Sequence, residues 1–174
     1  MSLIANICVS VICHREDGKI LMVEENRDGN ITINLPSGGV KETETFEMAA
    51  SRELLEETGL YPMDMCYLGN TVLKKHPATK EADASKDPAY VTFVYSVSAD
   101  MCQSNKLIWP DSTAIYAKIN DVDVVAAKWM SVPEIYTMRH LWRNNLIIPK
   151  IEMLIHNKKI KHFKNINLYH EATF

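Results

Sequence analysis

Three glutamates in one short stretch, Glu53, Glu56 and Glu57, have the type and spacing to hold a hard metal ion. At about 100° per residue they fall within roughly 100° of a helix circumference. Phe46, Ala49 and Ala50 point into the same sector and Leu54 lies beside it, so the stripe that should enter a core carries three carboxylates in its second half. Carboxylates at these spacings repel one another, and burying even one unpaired is costly. A divalent cation removes both penalties. Magnesium takes oxygen ligands and is commonly held by one or two carboxylates together with substrate phosphates. Upstream, Gly38-Gly39 lets the backbone pass close to a ligand and can present a carbonyl to a metal. The residues point to a metal–phosphate site.

The elements that must position this site are legible around it. Residues 46–58 read as a helix, free of Pro and Gly, that Gly59 would end with a left-handed cap. "ICVSVIC" and "KILMVEE" flank Asp17-Gly18, a hairpin signal. After the helix come strands in "MCYLGNTVLKK" and "YVTFVYSV", where Val91, Phe93, Tyr95 and Val97 alternate with Thr92, Val94 and Ser96. "VVAAKWM" reads as a strand, with Trp129 in the core, and "SVPEIYTM" as a short helix with Ser131 and Glu134 at capping-box spacing. "PKIEMLIHNKK" would be a last helix begun by Pro149. Residues 75–89 form a charged, proline-containing stretch that reads as a lid or binding loop, and "QSNKLIWPDSTAIY" as a second irregular excursion. Strands, one helix, strands and then helices indicate an α+β class or a three-layer sandwich around a mixed sheet.

Composition narrows the function classes. A chain of 174 residues with 47% apolar residues suits one domain over 1–174, carrying the 75–89 loop and a C-terminal helix and tail at about 149–174. The net charge of −3, with basic residues spread out, disfavours nucleic acid as a partner. Cys8, Cys13, Cys66 and Cys102 form no C-x-x-C pair; Cys8 and Cys13 would face opposite sides of a strand, and buried, reduced thiols in a cytoplasmic setting are expected. The apolar start lacks a basic leader and runs into "HREDG", so it reads as strand and turn, and no stretch reaches membrane-spanning length. The six histidines form no i, i+4 pair or His/Cys cluster, which disfavours zinc. The oligomeric state is left open, a homodimer included.

Gly38, Glu44, Arg52-Glu53, Leu54, Glu56-Glu57, Gly59 and Leu60 stand at the spacings of a Nudix box, and over these residues the chain resembles the Nudix hydrolase family. The likeness is specific over 35–60 and looser over about 5–157. It implies an α/β/α sandwich around a mixed β-sheet and metal-dependent hydrolysis of a nucleoside diphosphate linked to another group. The resemblance carries Glu53, Glu56 and Glu57 over as ligands of magnesium, or manganese in its place, with the Gly38 carbonyl as a further ligand. It makes Arg52 an orienting partner of the box carboxylates and Glu44 a support of the loop or an outer-sphere ligand. The general base would be Glu56 or Glu57, or a loop acid among Glu81, Asp83 and Asp87. Lys41 and Thr43 replace residues that many members have as an acid and a glycine, which leaves substrate class open. Val23-Glu24-Glu25, the Gly29 turn and Leu35-Pro36 further resemble the Nudix subgroup of small phosphatases acting on nucleoside di- and triphosphates and on the pyrophosphate of the thiamine pyrimidine precursor.

For substrate contacts, Arg27, Lys74 and Lys75 near strand ends are candidates for phosphate, and Trp109 for base stacking. The alternative to turnover is a Nudix-fold module that binds or senses a nucleotide.

Overall fold

The computed structural model describes residues 5–73, 89–104, 114–115 and 123–156. Its centre is strand β1, Ala5–His14, which pairs in parallel with β7, Ala89–Ser98, over its whole length. A turn through Gly18, with φ of 81°, leads to β2, Ile20–Arg27. β1 and β2 meet at His14 and Ile20 and then diverge. The next two strands fill the wedge: β3, Asn30–Asn34, runs along β2, and β4, Ser37–Gly39, pairs with β1 at Cys8, Val9 and Ser10. Outside these lie β6, Cys66–Leu73, on β7, and β10, Val124–Met130, on β2, with β9, Ala114–Ile115, beyond it. All pairings but β1–β7 are antiparallel, so the sheet is mixed. A separate two-stranded ribbon joins β5, Leu60–Pro62, to β8, Cys102–Ser104.

Alternation along the central strands sends side chains to two cores. Val9, Val11, Cys13, Leu21, Val23, Tyr95, Val97, Ala127 and Trp129 face helix α1, Phe46–Thr58, and bury against its Ala49, Ala50 and Leu54. Ile12, Ile20, Met22, Val94 and Met130 face the other way, onto α2, Val132–Thr137, and α3, Ile147–His156. The result is an α/β/α sandwich around a mixed sheet. Both faces of β7 are covered, and for this reason Thr92 and Ser96, on the face opposite Tyr95 and Val97, are buried although polar.

The helix ends follow local chemistry. Thr45 Oγ1 accepts from the Met48 N–H at 3.2 Å, and Gly59, with φ of 74°, ends α1 by donating to the Leu55 carbonyl at 2.8 Å. The capping box of Ser131 and Glu134 is formed at α2. α3 begins at Ile147, two residues before the expected start, because a proline is tolerated anywhere in a first turn whose N–H groups have no helical partner. β3, β4, β5, β8 and β9 are additions to the expected elements, the last inside the stretch read as an irregular excursion; each is short, and β4 is a Ser-Gly-Gly stretch without strand propensity. Of the four thiols expected to be buried, Cys13 is, whereas Cys8, Cys66 and Cys102 are half-buried. The 75–89 loop lies outside the described residues up to Ala89, which begins β7.

Leu54 is fully buried between α1 and the sheet. Leu54→Ala is expected to lower unfolding free energy by about 3 kcal/mol, measured by urea denaturation, with the urea dependence unchanged.

Candidate active site

The stripe of α1 that faces the sheet is carboxylate-bearing. Glu53 and Glu57 are 7% and 3% exposed, while Glu56, further round the helix, keeps 37% of its side chain exposed. One guanidinium organises them. Arg52 Nη1 donates to Glu53 at 2.5 Å and to Glu56 at 3.0 Å, Nε and Nη2 grip the two oxygens of Glu44 at 2.5 and 2.9 Å, and Nη2 also reaches the Gly39 carbonyl at 2.9 Å. This fork, planar and always charged, is what lysine could not reproduce. The bond to Glu44 contributes most to holding the Arg52 pKa well above its usual value. Glu44 is in turn lowered to about 2, by the Arg52 bond first and the Lys41 N–H, at 3.0 Å, second.

Glu57 is anchored separately. Its Oε2 accepts from the Ser37 N–H at 3.0 Å, which ties the second half of α1 to the start of β4. Gly38 follows directly. Its Cα stands against the Glu53 carboxylate so closely that a Cβ there would overlap both oxygens. The glycine was expected to admit a ligand; here it admits the side chain of Glu53, while the neighbouring Gly39 carbonyl is engaged by Arg52.

Three carboxylates thus meet one guanidinium, a fourth, Glu57, meets the Ser37 N–H, and the donor set is all oxygen, the preference of a hard divalent ion. Among the described residues no three His, Cys, Asp or Glu side chains close into a metal cage. A cation that keeps waters and takes ligands from a substrate needs no such cage, and the excess negative charge fits it.

Beyond Gly38 opens a pocket of about 150 Å³ on the α3 side of β4, with Cys8, Asn34, Thr92, Arg143 and Lys150 among its walls. Lys150 is 2% exposed, and its Nζ meets the Ser10 hydroxyl at 3.4 Å. Burial pushes its pKa down to about 8; the Cys8 thiol opposes and the Arg143 charge adds to the shift. Arg143 Nη1 donates to both oxygens of Glu25, at 2.8 and 3.0 Å, and Glu25 is 1% exposed.

The NUDIX domain family matches residues 5–150. The chain belongs to the Nudix hydrolase family. Phosphatase NudJ of Escherichia coli K12 is 44% identical over 55 residues, which cover 32% of this chain and 35% of that protein, so the match spans about a third of the relative. A NUDIX hydrolase from Nitrosomonas europaea superposes with a TM-score of 0.67 at 28% identity, over 88% of this chain and 90% of that one. The NUDIX domain of Shewanella oneidensis NrtR, complexed with ADP ribose, superposes at 0.63 and 19% identity, over 90% and 89%. The last likeness is one of fold.

The Nudix fold brings Gly38, Glu44, Arg52, Glu53, Glu56 and Glu57 together. Arg27 lies near the end of β2, half exposed, with Nε against Glu25 at 3.2 Å and Asp123 at 3.1 Å. Lys74, Lys75 and Trp109, with the loop acids Glu81, Asp83 and Asp87, lie outside the described residues. Sequence reasoning missed Ser37, Asn34, Arg143 and Lys150. For Lys150 a signal existed: it falls on the stripe of Ile147, Ile151 and Leu154, the buried face of α3.

Two outcomes follow from this geometry. Gly38→Ala is expected to keep the circular-dichroism spectrum of the fold yet lose at least about a hundredfold in kcat/KM, since Glu53 must move off the added methyl. Lys150 bears a burial cost below about pH 8, where folded and unfolded chains are both protonated; from there to the ordinary value of 10.5 the folded chain sheds its proton first, so the cost fades. Lys150→Met should therefore raise unfolding free energy at pH 7 by ~1–3 kcal/mol relative to the parent. The gain should shrink toward pH 10.5 in paired denaturant titrations.

Proposed function

We propose that the protein hydrolyses a phosphoanhydride bond in a nucleoside diphosphate linked to another group, or in a related nucleotide-like pyrophosphate, with magnesium or manganese as cofactor. The observation that carries this reading is the carboxylate set of α1, held by Arg52 and by the Ser37 N–H around a side-chain-free Gly38. The ADP ribose on the Shewanella domain and the phosphatase activity in the name of the Escherichia coli relative support a nucleotide-like substrate.

Glu53, Glu56 and Glu57, with the Gly38 carbonyl, would hold the cation. When bound, it would neutralise phosphate oxygens and lower the pKa of a water. Each protein group has its own task. The Ser37 N–H fixes the orientation of Glu57, so this carboxylate is presented in one rotamer. Arg52 holds Glu53 and Glu56 apart from one another's charge before substrate arrives. Glu56, the one box glutamate with a large exposed fraction, is suited to accept a proton from the attacking water and hand it to solvent. Burial of Glu53 and Glu57 keeps bulk water from competing for their oxygens.

Hydrolysis of nucleoside triphosphates, nucleoside diphosphates, ADP ribose, dinucleoside polyphosphates and the thiamine-precursor pyrophosphate, followed by phosphorus NMR, tests the reading. Activity toward at least one, abolished by chelation and restored by magnesium, is expected; release of orthophosphate would favour the phosphatase subgroup, and pyrophosphate plus monophosphate a triphosphate pyrophosphohydrolase. Full activity after exhaustive chelation, or binding without turnover across the panel, would overturn it. Glu57→Gln should lower kcat at least about a hundredfold, ~2.7 kcal/mol of barrier. The metal-free variant should melt within a few degrees of the parent, because the amide oxygen can still accept from Ser37. Marked destabilisation with near-normal kcat would assign Glu57 a structural role.

A further inference from the structure

The pocket beyond Gly38 contains two polar groups that the folded chain leaves poorly satisfied. Asn34 is 2% exposed; its Nδ2 donates to the Ser37 hydroxyl at 2.9 Å, but its buried Oδ1 has no hydrogen-bond partner among the described residues. Lys150 is equally buried, and among the described residues its one hydrogen bond is the long contact to Ser10. Such groups are rare in folded proteins and each invites an account. The two lie close in the sheet: Ser10 and Ser37, the residues they touch, are register partners across β1 and β4.

The charges around Lys150 define what it would bind. Burial raises the pKa of the Cys8 thiol, so at neutral pH it stays protonated and supplies no counter-charge. The Arg143 charge is answered by Glu25. An ammonium with unused donors therefore lines the same pocket as a neutral acceptor with unused lone pairs. A free phosphate would satisfy the first and oppose the second. A neutral group with a carbonyl next to an N–H satisfies both at once.

Size agrees with this. An engineered protein cavity of about 150 Å³ accepts benzene, a six-membered ring. The present pocket has the same volume, and exposed Gly39 stands at its rim. Gly38 lines the pocket on one side and touches Glu53 on the other, so a ring seated here would lie next to the carboxylate set.

We infer that this pocket reads the base of the substrate through a lactam edge, with Lys150 Nζ donating to the ring carbonyl and Asn34 Oδ1 accepting from the adjacent ring N–H, and so prefers hypoxanthine, guanine or uracil over adenine or cytosine. This rests on the nucleotide reading of the site for its context. The exchange of partners is specific: adenine and cytosine put an amino group where the lysine needs an acceptor and a bare nitrogen where the asparagine needs a donor.

Binding without turnover separates this inference from hydrolysis. Calorimetric titration in EDTA would compare inosine with adenosine monophosphate and uridine with cytidine monophosphate. The parent should bind the first of each pair at least about tenfold more tightly. Lys150→Met and Asn34→Leu should each bring the ratio close to unity; the melts of both variants, with that of Lys150→Met expected to rise, verify that they are folded. Equal affinities in the parent, a preference for the amino bases, or no binding of any of the four at millimolar concentration would overturn the inference. So would loss of inorganic pyrophosphate binding in Lys150→Met with base preference retained, since the lysine would then be an anion seat. A preference for the oxo bases in a protein that hydrolyses nothing would leave the inference standing and remove the proposed activity alone.

Discussion

The five N–H donors of one guanidinium decide whether this helix can exist in this place. An amphipathic helix with glutamates on its buried face is self-contradictory until something compensates the charge. Arg52 does so in the folded chain by touching Glu44, Glu53, Glu56 and the Gly39 carbonyl together. Because those partners come from the loop before the helix and from the helix itself, the same contact that lowers the electrostatic cost also fixes the loop against α1. A monodentate cation at this position would reach one or two of them.

Around that contact the sheet supplies position. β1 and β2 separate after a single paired position, and the chain returns into the gap as β3 and β4. The Ser37–Gly39 segment is therefore not a loose surface loop but a strand hydrogen-bonded to the central strand of the sheet. Its Ser37 N–H faces Glu57 and its Gly38 Cα faces Glu53, so two of the four box glutamates are located relative to the sheet core by backbone atoms. Backbone donors have no rotamers to lose, which makes them the stiffer half of the arrangement.

Much of this was legible in the residues. The helix over 46–58, its Gly59 cap, the hairpin, the long strands and the α2 capping box all follow from local propensity and periodicity, and the family likeness followed from the box spacing. Helical spacing directs three glutamates toward the inner face; two are buried there, and Glu56, further round the helix, keeps more of its side chain exposed. What stayed hidden was non-local. β4 is a Ser-Gly-Gly strand only because β1 needs a partner. Lys150 lies far along the chain from the residues it faces, and periodicity marked its helix face as inward without naming what it would meet there. The unpaired oxygen of Asn34 has no sequence signature at all, since it depends on which neighbours a fold happens to provide.

The parallel union of β1 with β7 has a consequence for synthesis. β1 is made well before β7, so the strand that covers its outer edge is not complete until Ser98 has been added. During that interval the nascent chain carries an apolar strand with an open edge, the feature on which strands of different chains associate. The hairpin with β2 and the return through β4 are made early and cover part of the opposite edge, so the early segments protect each other while the exposed side waits. Until Ser98 is in place, shielding of that edge falls to the pace of elongation and to chaperones, because the finished sheet does not yet exist.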